Sequence, residues 1–400
     1  MDRVILHSDL NNFYASVECL RHPELRNVPM AVGGSVEDRH GIVLAKNELA
    51  KGFGVKTGEA LWLARKKCPA LVSVPPDHKR YGEFSKKARE IYLTYTDYVE
   101  PFGLDEAWLD VSALHCDGET LANELRQRVK EELGLTVSVG ASYNKVFAKL
   151  GSDLKKPDAV TVINRQNYQK VVWPLPAGAL LYVGPATTKK LESYGIQTIG
   201  QLAETSPDTL LYLLGKMGDV LRRFANGQDT EPVAAFDALL AVKSIGNSST
   251  GYRNLETDED VKMMFYALAE TVATRVREHG FCATTLTITV RDCALNILTR
   301  QCKLERPSNL SGDYAAAAME LMQKHYRWER AIRSVGLSVS DFTRDDDGVQ
   351  MDLLSCQQHR DEQERLERTV DKVRKRFGSA AVQRAVLLQD KQLTGIKREE

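Results

Sequence analysis

The order of strand-like and helix-like segments in the first 165 residues is the tightest constraint on the fold. Residues 4–8 (VILHS) read as a short buried strand, and NNFYASVECL after them carries apolar residues at helical spacing, with Asn11 or Asn12 placed to cap the helix. Asp9 therefore falls at a strand-to-helix junction. Residues 41–69 read as a strand and two short helices, and Leu71 to Pro76 as a return strand ending in a proline pair. YVEPFGLDEAWLDVS (98–112) reads as a hairpin whose tight turn carries Gly103, Asp105 and Glu106. LTVSVGASYNKVFAKLGSDLKKP (135–157) predicts a strand of alternating valines, a small-residue turn and a helix stopped by Pro157. Strands and helices alternate without a strict βαβ repeat, so the expected fold class is α+β.

The remainder reads as further units. Leu175 to Val233 is predominantly helical, with glycine turns at Val183-Gly184-Pro185 and around Gly215 to Gly218. A polar linker follows near Phe236 to Val242. From Lys243 to Phe342 the pattern predicts a helix (262–279), strands (284–291 and 295–303), a helix (313–325) and a strand (332–340), closed by the acidic turn DDDG (345–348). The tail from His359 to Phe377 places Leu366, Val370, Val373 and Phe377 on one helical stripe, expected to cover the preceding domain or to stay solvated. The length allows two to four such domains.

Charge and cysteine content exclude several classes. The 54 basic and 54 acidic residues cancel, so pI alone argues for no polyanionic partner. The distribution is uneven, however: Lys145, Lys149, Lys155, Lys156, Lys189, Lys190, Arg222 and Arg223 cluster in small groups, and a locally basic face suffices to bind phosphates. The chain carries no basic leader and no apolar run of membrane-spanning length, so neither secretion nor membrane insertion is expected. Seven scattered cysteines without C-x-x-C spacing argue against zinc and redox roles and fit a reducing cytoplasm.

Asp9, Asp105 and Glu106 are the residues that carry chemistry. Turns on neighbouring strands can bring three carboxylates within a few ångströms, where they repel unless cations intervene. A pair of magnesium ions relieves that repulsion and supplies machinery for in-line phosphoryl transfer. Each residue also has a structural explanation, as turn chemistry for Asp105-Glu106 and as a helix cap for Asp9.

The motifs taken together resemble the Y-family of DNA polymerases, its DNA polymerase IV branch in particular, over most of the chain. SDLNNFYASVE (8–18) is similar to the family's first metal motif, FGLDEAWLDV (102–111) to its second, and NKVFAKLGSDLKKP (144–157) to its third. The resemblance implies that Asp9 and Asp105 bridge two Mg2+ ions, with Mn2+ as a substitute, that Leu10 offers its backbone carbonyl, and that Glu106 completes the metal site beside the primer 3′-hydroxyl. Tyr14 stands at the steric gate beneath the sugar of the incoming dNTP, with Phe13 beside it or under the base. Lys156 stands where the family directs a lysine to the triphosphate. Lys51 aligns with a family arginine that grips the same phosphates, but Glu48 replaces the usual tyrosine of that helix, leaving Lys46 and Asn47 as alternative grips. Asn11 and Gly103 stand where many members have aspartate and serine.

LLYVGPATTKKLESYGIQTIGQLAE (180–204) has the form of a helix-hairpin-helix, whose Gly184 turn with Lys189 and Lys190 would meet a DNA phosphate. Arg291 and Arg300 would follow the duplex backbone. Gln350, Asp352, Leu353 and Leu354 resemble a peptide that docks on the sliding clamp.

The implied architecture is a right-hand polymerase: a ferredoxin-like palm (1–28 and 76–165), small fingers (29–75), a helical thumb with the helix-hairpin-helix (166–236), an α+β little finger (243–343), and a tail (344–400). The implied activity is template-directed, low-fidelity translesion synthesis, transferring dNMP to a primer 3′-hydroxyl on primer-template DNA. A cytoplasmic monomer with a sliding-clamp partner is expected, and no segment reads as a proofreading domain. A nucleotide cyclase, a non-catalytic DNA-binding factor and an accessory-dependent enzyme like the polymerase V catalytic subunit remain the alternatives.

Overall fold

The structure, a computed structural model, describes residues 3–34, 41–238, 241–345, 357–390 and 392–393. These form two compact units, one ending at residue 238 and the other beginning at 241.

The first unit opens with β1 (Ile5–Leu10), every residue of which is buried, and α1 (Phe13–Arg21). A small three-stranded sheet follows, made of β2 (Met30–Gly33) and β3 (Val43–Lys46), with α2 (Glu48–Gly52) and α3 (Leu61–Lys67) leading to β4 (Val72–Val74). The chain continues through α4 (His78–Leu93), the hairpin of β5 (Val99–Pro101) and β6 (Glu106–Asp110), α5 (Gly118–Leu133), β7 (Val137–Ser142), α6 (Lys145–Leu154) and β8 (Val160–Ile163). The main sheet has the order β5-β6-β1-β7-β8, antiparallel except for β7 with β8. Without β8 this is the ferredoxin-like order that the family resemblance implies.

Alternation divides the main sheet into two faces. Leu6, Leu10, Ala107 and Leu109 face the principal core, which α4 and α5 close with Tyr81, Ile91, Tyr92, Leu121, Leu125 and Val129. Ile5, His7, Asp9 and Trp108 face the other way, toward α6. That helix starts on Asn144, whose side chain accepts from Phe147 N at 2.8 Å. It lies so close to the sheet because β7 carries glycine at 140: a Cβ there would stand 1.8 Å from the Ala148 carbonyl oxygen.

The helical segment contains α7 (Tyr168–Val172), α8 (Pro185–Glu192), α9 (Ile199–Glu204), α10 (Pro207–Leu214) and α11 (Lys216–Ala225). Its core also takes in Tyr143, Val146, Phe147 and Leu150 at and within α6, so this segment has no core wholly its own. The element before the Gly184 turn is a single 3-10 turn, Ala177–Ala179, rather than a full helix.

The second unit is a four-stranded antiparallel sheet of order β11-β10-β12-β9, built from β9 (Ser244–Leu255), β10 (Phe281–Asp292), β11 (Ile297–Ser308) and β12 (Ile332–Arg344). One face is covered by α12 (Asp258–Glu278) and α13 (Ser311–His325). The sequence pattern contains no signal for β9. It is an edge strand reading SIGNSSTGYRNL, in which only Ile245, Gly251 and Leu255 are buried, and pairing with β12 rather than apolar alternation makes it a strand.

The tail helix α14 (Gln357–Phe377) covers this unit, but not by its apolar stripe alone. Leu366 and Phe377 remain exposed, while Val370 and Val373 are half-buried. Charge does much of the docking: Arg277, itself buried, meets Glu367 at 2.5 Å and Asp371 at 2.7 Å, and Glu270 holds both Arg374 and Arg384. Among the described residues no helix is long and apolar enough to cross a membrane.

Candidate active site

Asp9 lies directly opposite Glu106 in the β1–β6 ladder, and Leu10 N donates to Asp105 O at 3.0 Å where the two strands end. Residues directly opposed in an antiparallel pair share a face, so both carboxylates belong to the α6 side. Gly103, in the left-handed region at φ 94°, turns the chain ahead of Asp105, where a Cβ would stand 3.6 Å from Asp105 Oδ1. The expected turn is thus shorter than the sequence suggests. Glu106 is the first residue of β6 rather than part of the turn, and the ladder aligns it with Asp9.

Helix α6 and the residues after it bring the counter-charges. Lys149 Nζ is 2.6 Å from Glu106 Oε2, Lys156 Nζ is 2.5 Å from Asp9 Oδ2, and Asp153 braces Lys156 at 2.8 Å. Burial pushes the Asp9 carboxyl up to about 7 even though the Lys156 ammonium pulls it down. Burial likewise raises Asp105, and the neighbouring Glu106 charge adds to it. For Glu106 burial acts in the same upward direction, but the His7 imidazole and the Lys149 ammonium beside it outweigh burial and hold the group at about 2. Lys156 is raised, the Asp9 and Asp153 charges overcoming the cost of burial.

Asp9 is buried and Asp105 half-buried, and at both burial outweighs the pull of the nearby lysines, a donor set that suits divalent ions in kind. Among the described residues no three such groups are already drawn together as an ion cage. Lysine ammonium groups pair with Asp9 and Glu106 instead.

Tyr14 is half-buried and stacks on Tyr81 with centroids 4.0 Å apart and planes at 12°, while exposed His78 meets its edge. Tyr81 is wholly buried and fixed by a 2.6 Å hydrogen bond to Glu18, one helical turn beyond Tyr14. Phe13 points into the principal core. The expected side-chain cap of α1 does not form: Asn12 is left-handed at φ 50° and its amide donates to Glu48 Oε1 at 3.0 Å. Asn11 ties the Asp158 amide to Ser138.

Of the three candidate phosphate grips, Asn47 is already consumed. Its side chain caps α2, accepts from Met30 N and donates to the Val28 carbonyl at 2.7 Å, which leaves nothing for a ligand. Lys51 is half-exposed and meets Glu48 at 3.3 Å, whereas Lys46 donates to Thr57.

Gly184 begins α8 with open space around it, and Lys189 and Lys190 are exposed in that helix's last turn. Arg291 and Arg300 do not share a face. Arg300 pairs with Ile288, on the helix-covered side, while Arg291 follows Thr287 and Thr289 on the open side. The open side is lined by small polar residues such as Ser334 and Ser338, and Arg300 projects at the edge of the opposite one. Gln350, Asp352, Leu353 and Leu354 lie outside the described residues.

Sequence reasoning overlooked Lys149, Asp153, His7, Tyr81 and Glu18 as site components. The spacing of residues 149, 153 and 156, at three- and four-residue steps about one helix, was the available signal for the first two.

The profile of the impB/mucB/samB family matches residues 8–153, and that of its C-terminal domain matches residues 242–353. DNA polymerase IV of Acetivibrio thermocellus is 52% identical over 99% of this chain and 100% of its own length. The corresponding figures are 39%, 97% and 96% for DNA polymerase IV of Moorella thermoacetica, and 34%, 96% and 93% for DNA polymerase IV 1 of Bacillus subtilis. Among solved structures, a Y-family DNA polymerase chimera, Dbh-Dpo4(243-245)-Dbh, matches with a TM-score of 0.75, 23% identity, 85% of this chain and 99% of the chimera.

Proposed function

The chain belongs to the impB/mucB/samB family, the Y-family DNA polymerases, in its DNA polymerase IV branch, and from that premise we propose that this DNA-directed DNA polymerase performs low-fidelity translesion synthesis by two-metal catalysis. The observation that carries the reading is the Asp9–Glu106 register pair, with Asp105 bonded across the strand end and burial raising both Asp9 and Asp105. When bound, two divalent ions, Mg2+ or Mn2+, would activate the primer 3′-hydroxyl and neutralise the triphosphate during in-line transfer of dNMP, with pyrophosphate leaving.

Asp9 and Asp105 would hold both ions, the Leu10 carbonyl would add one ligand, and Glu106 would complete the site on the primer side. Lys156, released from its 2.5 Å contact with Asp9, would hold the triphosphate as a point charge. Lys51 or Lys46 serves as the grip from the fingers. The palm is assigned to residues 1–28 and 76–165, fingers to 29–75, thumb to 166–236 and little finger to 243–343. Gly184, Lys189, Lys190 and Arg291 are assigned to the DNA backbone, and residues 350–354 to a sliding clamp. The fingers rest on three strands of three or four residues and helices of five and seven, too little structure to wrap a nascent base pair. An open site tolerates damaged templates and discriminates less between bases.

Primer extension on undamaged and abasic templates with Mg2+ and all four dNTPs tests this reading. Extension is expected on both templates. A folded protein that extends neither, with or without a clamp, would instead be accessory-dependent or a non-catalytic DNA binder.

Tyr14→Ala is expected to raise ribonucleotide incorporation by roughly tenfold to a hundredfold. A 2′-hydroxyl forced against a ring that is itself backed by Tyr81 costs about 1–3 kcal/mol, as overpacking does elsewhere. Single-nucleotide insertion with paired rNTP and dNTP measures the ratio, and unchanged sugar selection would remove Tyr14 from the gate.

A further inference from the structure

His7 sits two residues before Asp9 on the same face of β1 and is completely buried. The Trp108 ring meets it edge-on, with centroids 5.1 Å apart, and α6 closes over it. Its Nδ1 is 2.8 Å from Ser152 Oγ, while its Nε2 stands 3.4 Å from Glu106 Oε2 and has no hydrogen-bond partner.

An imidazole in such a place must commit to one tautomer. The Ser152 hydroxyl has a single proton and two acceptors within reach, the Lys149 carbonyl at 2.7 Å and His7 Nδ1. If the proton goes to Lys149, His7 must carry its own on Nδ1, and the bare Nε2 lone pair faces an ionised carboxylate. If Ser152 donates to Nδ1, the His7 proton sits on Nε2, 3.4 Å from the nearest Glu106 oxygen. The charge on Glu106 selects the second arrangement.

At 3.4 Å this contact is longer than a full hydrogen bond, and Lys149 holds the same Oε2 at 2.6 Å. The two donors differ in freedom. Lys149 is a flexible chain that phosphate oxygens or a cation can displace, whereas His7 is locked by Trp108, Ser152 and α6.

We propose that His7 is a positioning residue: its Nε2–H, set by Ser152, orients the Glu106 carboxylate for the metal ion on the primer side. The inference rests on the reading of Glu106 as a metal ligand. Hydrogen bonds from outside the ligand set fix ligand rotamers and are worth tenfold to a hundredfold in metal affinity, and the 3.4 Å contact is the one His7 would close to Glu106 once Lys149 leaves it.

The test is Mn2+ binding, read from the paramagnetic resonance of free Mn2+, by full-length protein with dideoxy-terminated primer-template DNA and the correct dNTP, so that no turnover occurs. His7→Gln sets an amide N–H near the Nε2 position, His7→Asn reaches only the Nδ1 position, and His7→Phe keeps shape alone. The Gln variant is expected to bind within about twofold of wild type, and the Asn and Phe variants about 10- to 100-fold more weakly. With a primer bearing a free 3′-hydroxyl, kcat of the latter two at fixed Mg2+ should fall while KM for dNTP holds.

Wild-type affinity in the Asn and Phe variants, or a Gln variant as weak as Phe, overturns the proposal. If Phe does not fold, the Gln and Asn pair decides. Glu106→Ala separates the two levels: weakened binding there with unaffected His7 variants sinks the His7 role alone, whereas wild-type binding by Glu106→Ala sinks the metal-site reading and this inference with it.

Discussion

Asp105→Ala/Glu106→Ala is expected to reduce primer extension by at least roughly a thousandfold while primer-template binding stays within a few-fold of wild type. Two of the three carboxylates disappear, and with them the charge that would hold cations against the primer end and the triphosphate. Removing preorganised stabilisation of that kind raises a barrier by about 4 kcal/mol or more, about a thousandfold in rate. The DNA-contacting candidates Lys189, Lys190 and Arg291 lie on other elements and are untouched. Single-turnover extension and a DNA-binding isotherm on the same preparation check both halves. More than a few per cent residual activity would reject the carboxylates as the catalytic set.

Gly140→Ala is expected to cost at least about 3 kcal/mol and to lower the melting temperature of the first unit by about 10 °C. The new methyl would meet the Ala148 carbonyl oxygen at 1.8 Å and the Ser152 amide nitrogen at 2.6 Å, both backbone atoms that no rotamer change can move. Gly151 already brings its own Cβ position within 3.1 Å of the Gly140 Cα, so α6 has no slack toward the sheet. The helix must lift, and it carries Lys149 and Ser152 with it. Activity should therefore fall even below the melting transition. Thermal melts followed by circular dichroism, with extension measured at a temperature where both proteins are folded, test this. A variant that melts with wild type would show that α6 is not seated on β7 as described.

Much of this was open to a reader of the sequence. Asp9, Asp105 and Glu106 stand in short local motifs whose spacing follows from single strands and turns, and the α+β class follows from the succession of strand and helix periods in the first 165 residues, the ferredoxin-like order from the family resemblance those motifs carry. The helical segment and the β10, β11 and β12 strands were legible for the same reason, since periodicity is local. What escaped depends on partners distant in the chain. β9 is polar and becomes a strand only against β12, and α14 is held in large part by Arg277 and Glu270, which stand ninety or more residues before their partners Glu367 and Arg374.

Register decided the rest. Pairing of Ile288 with Arg300 sends that arginine to the face opposite Arg291, and a side-chain period of two makes such assignments impossible to guess one residue at a time. Packing of α6 on Gly140 decided that Lys149 and Lys156 neutralise Glu106 and Asp9, and hydrogen-bond saturation withdrew Asn47 from the candidate phosphate grips. Local sequence thus determined which groups carry the chemistry and the order of the elements that hold them. Only the tertiary structure decided which face each group occupies and which charge stands against it, because ladder register and helix seating are set by contacts between residues far apart in the chain.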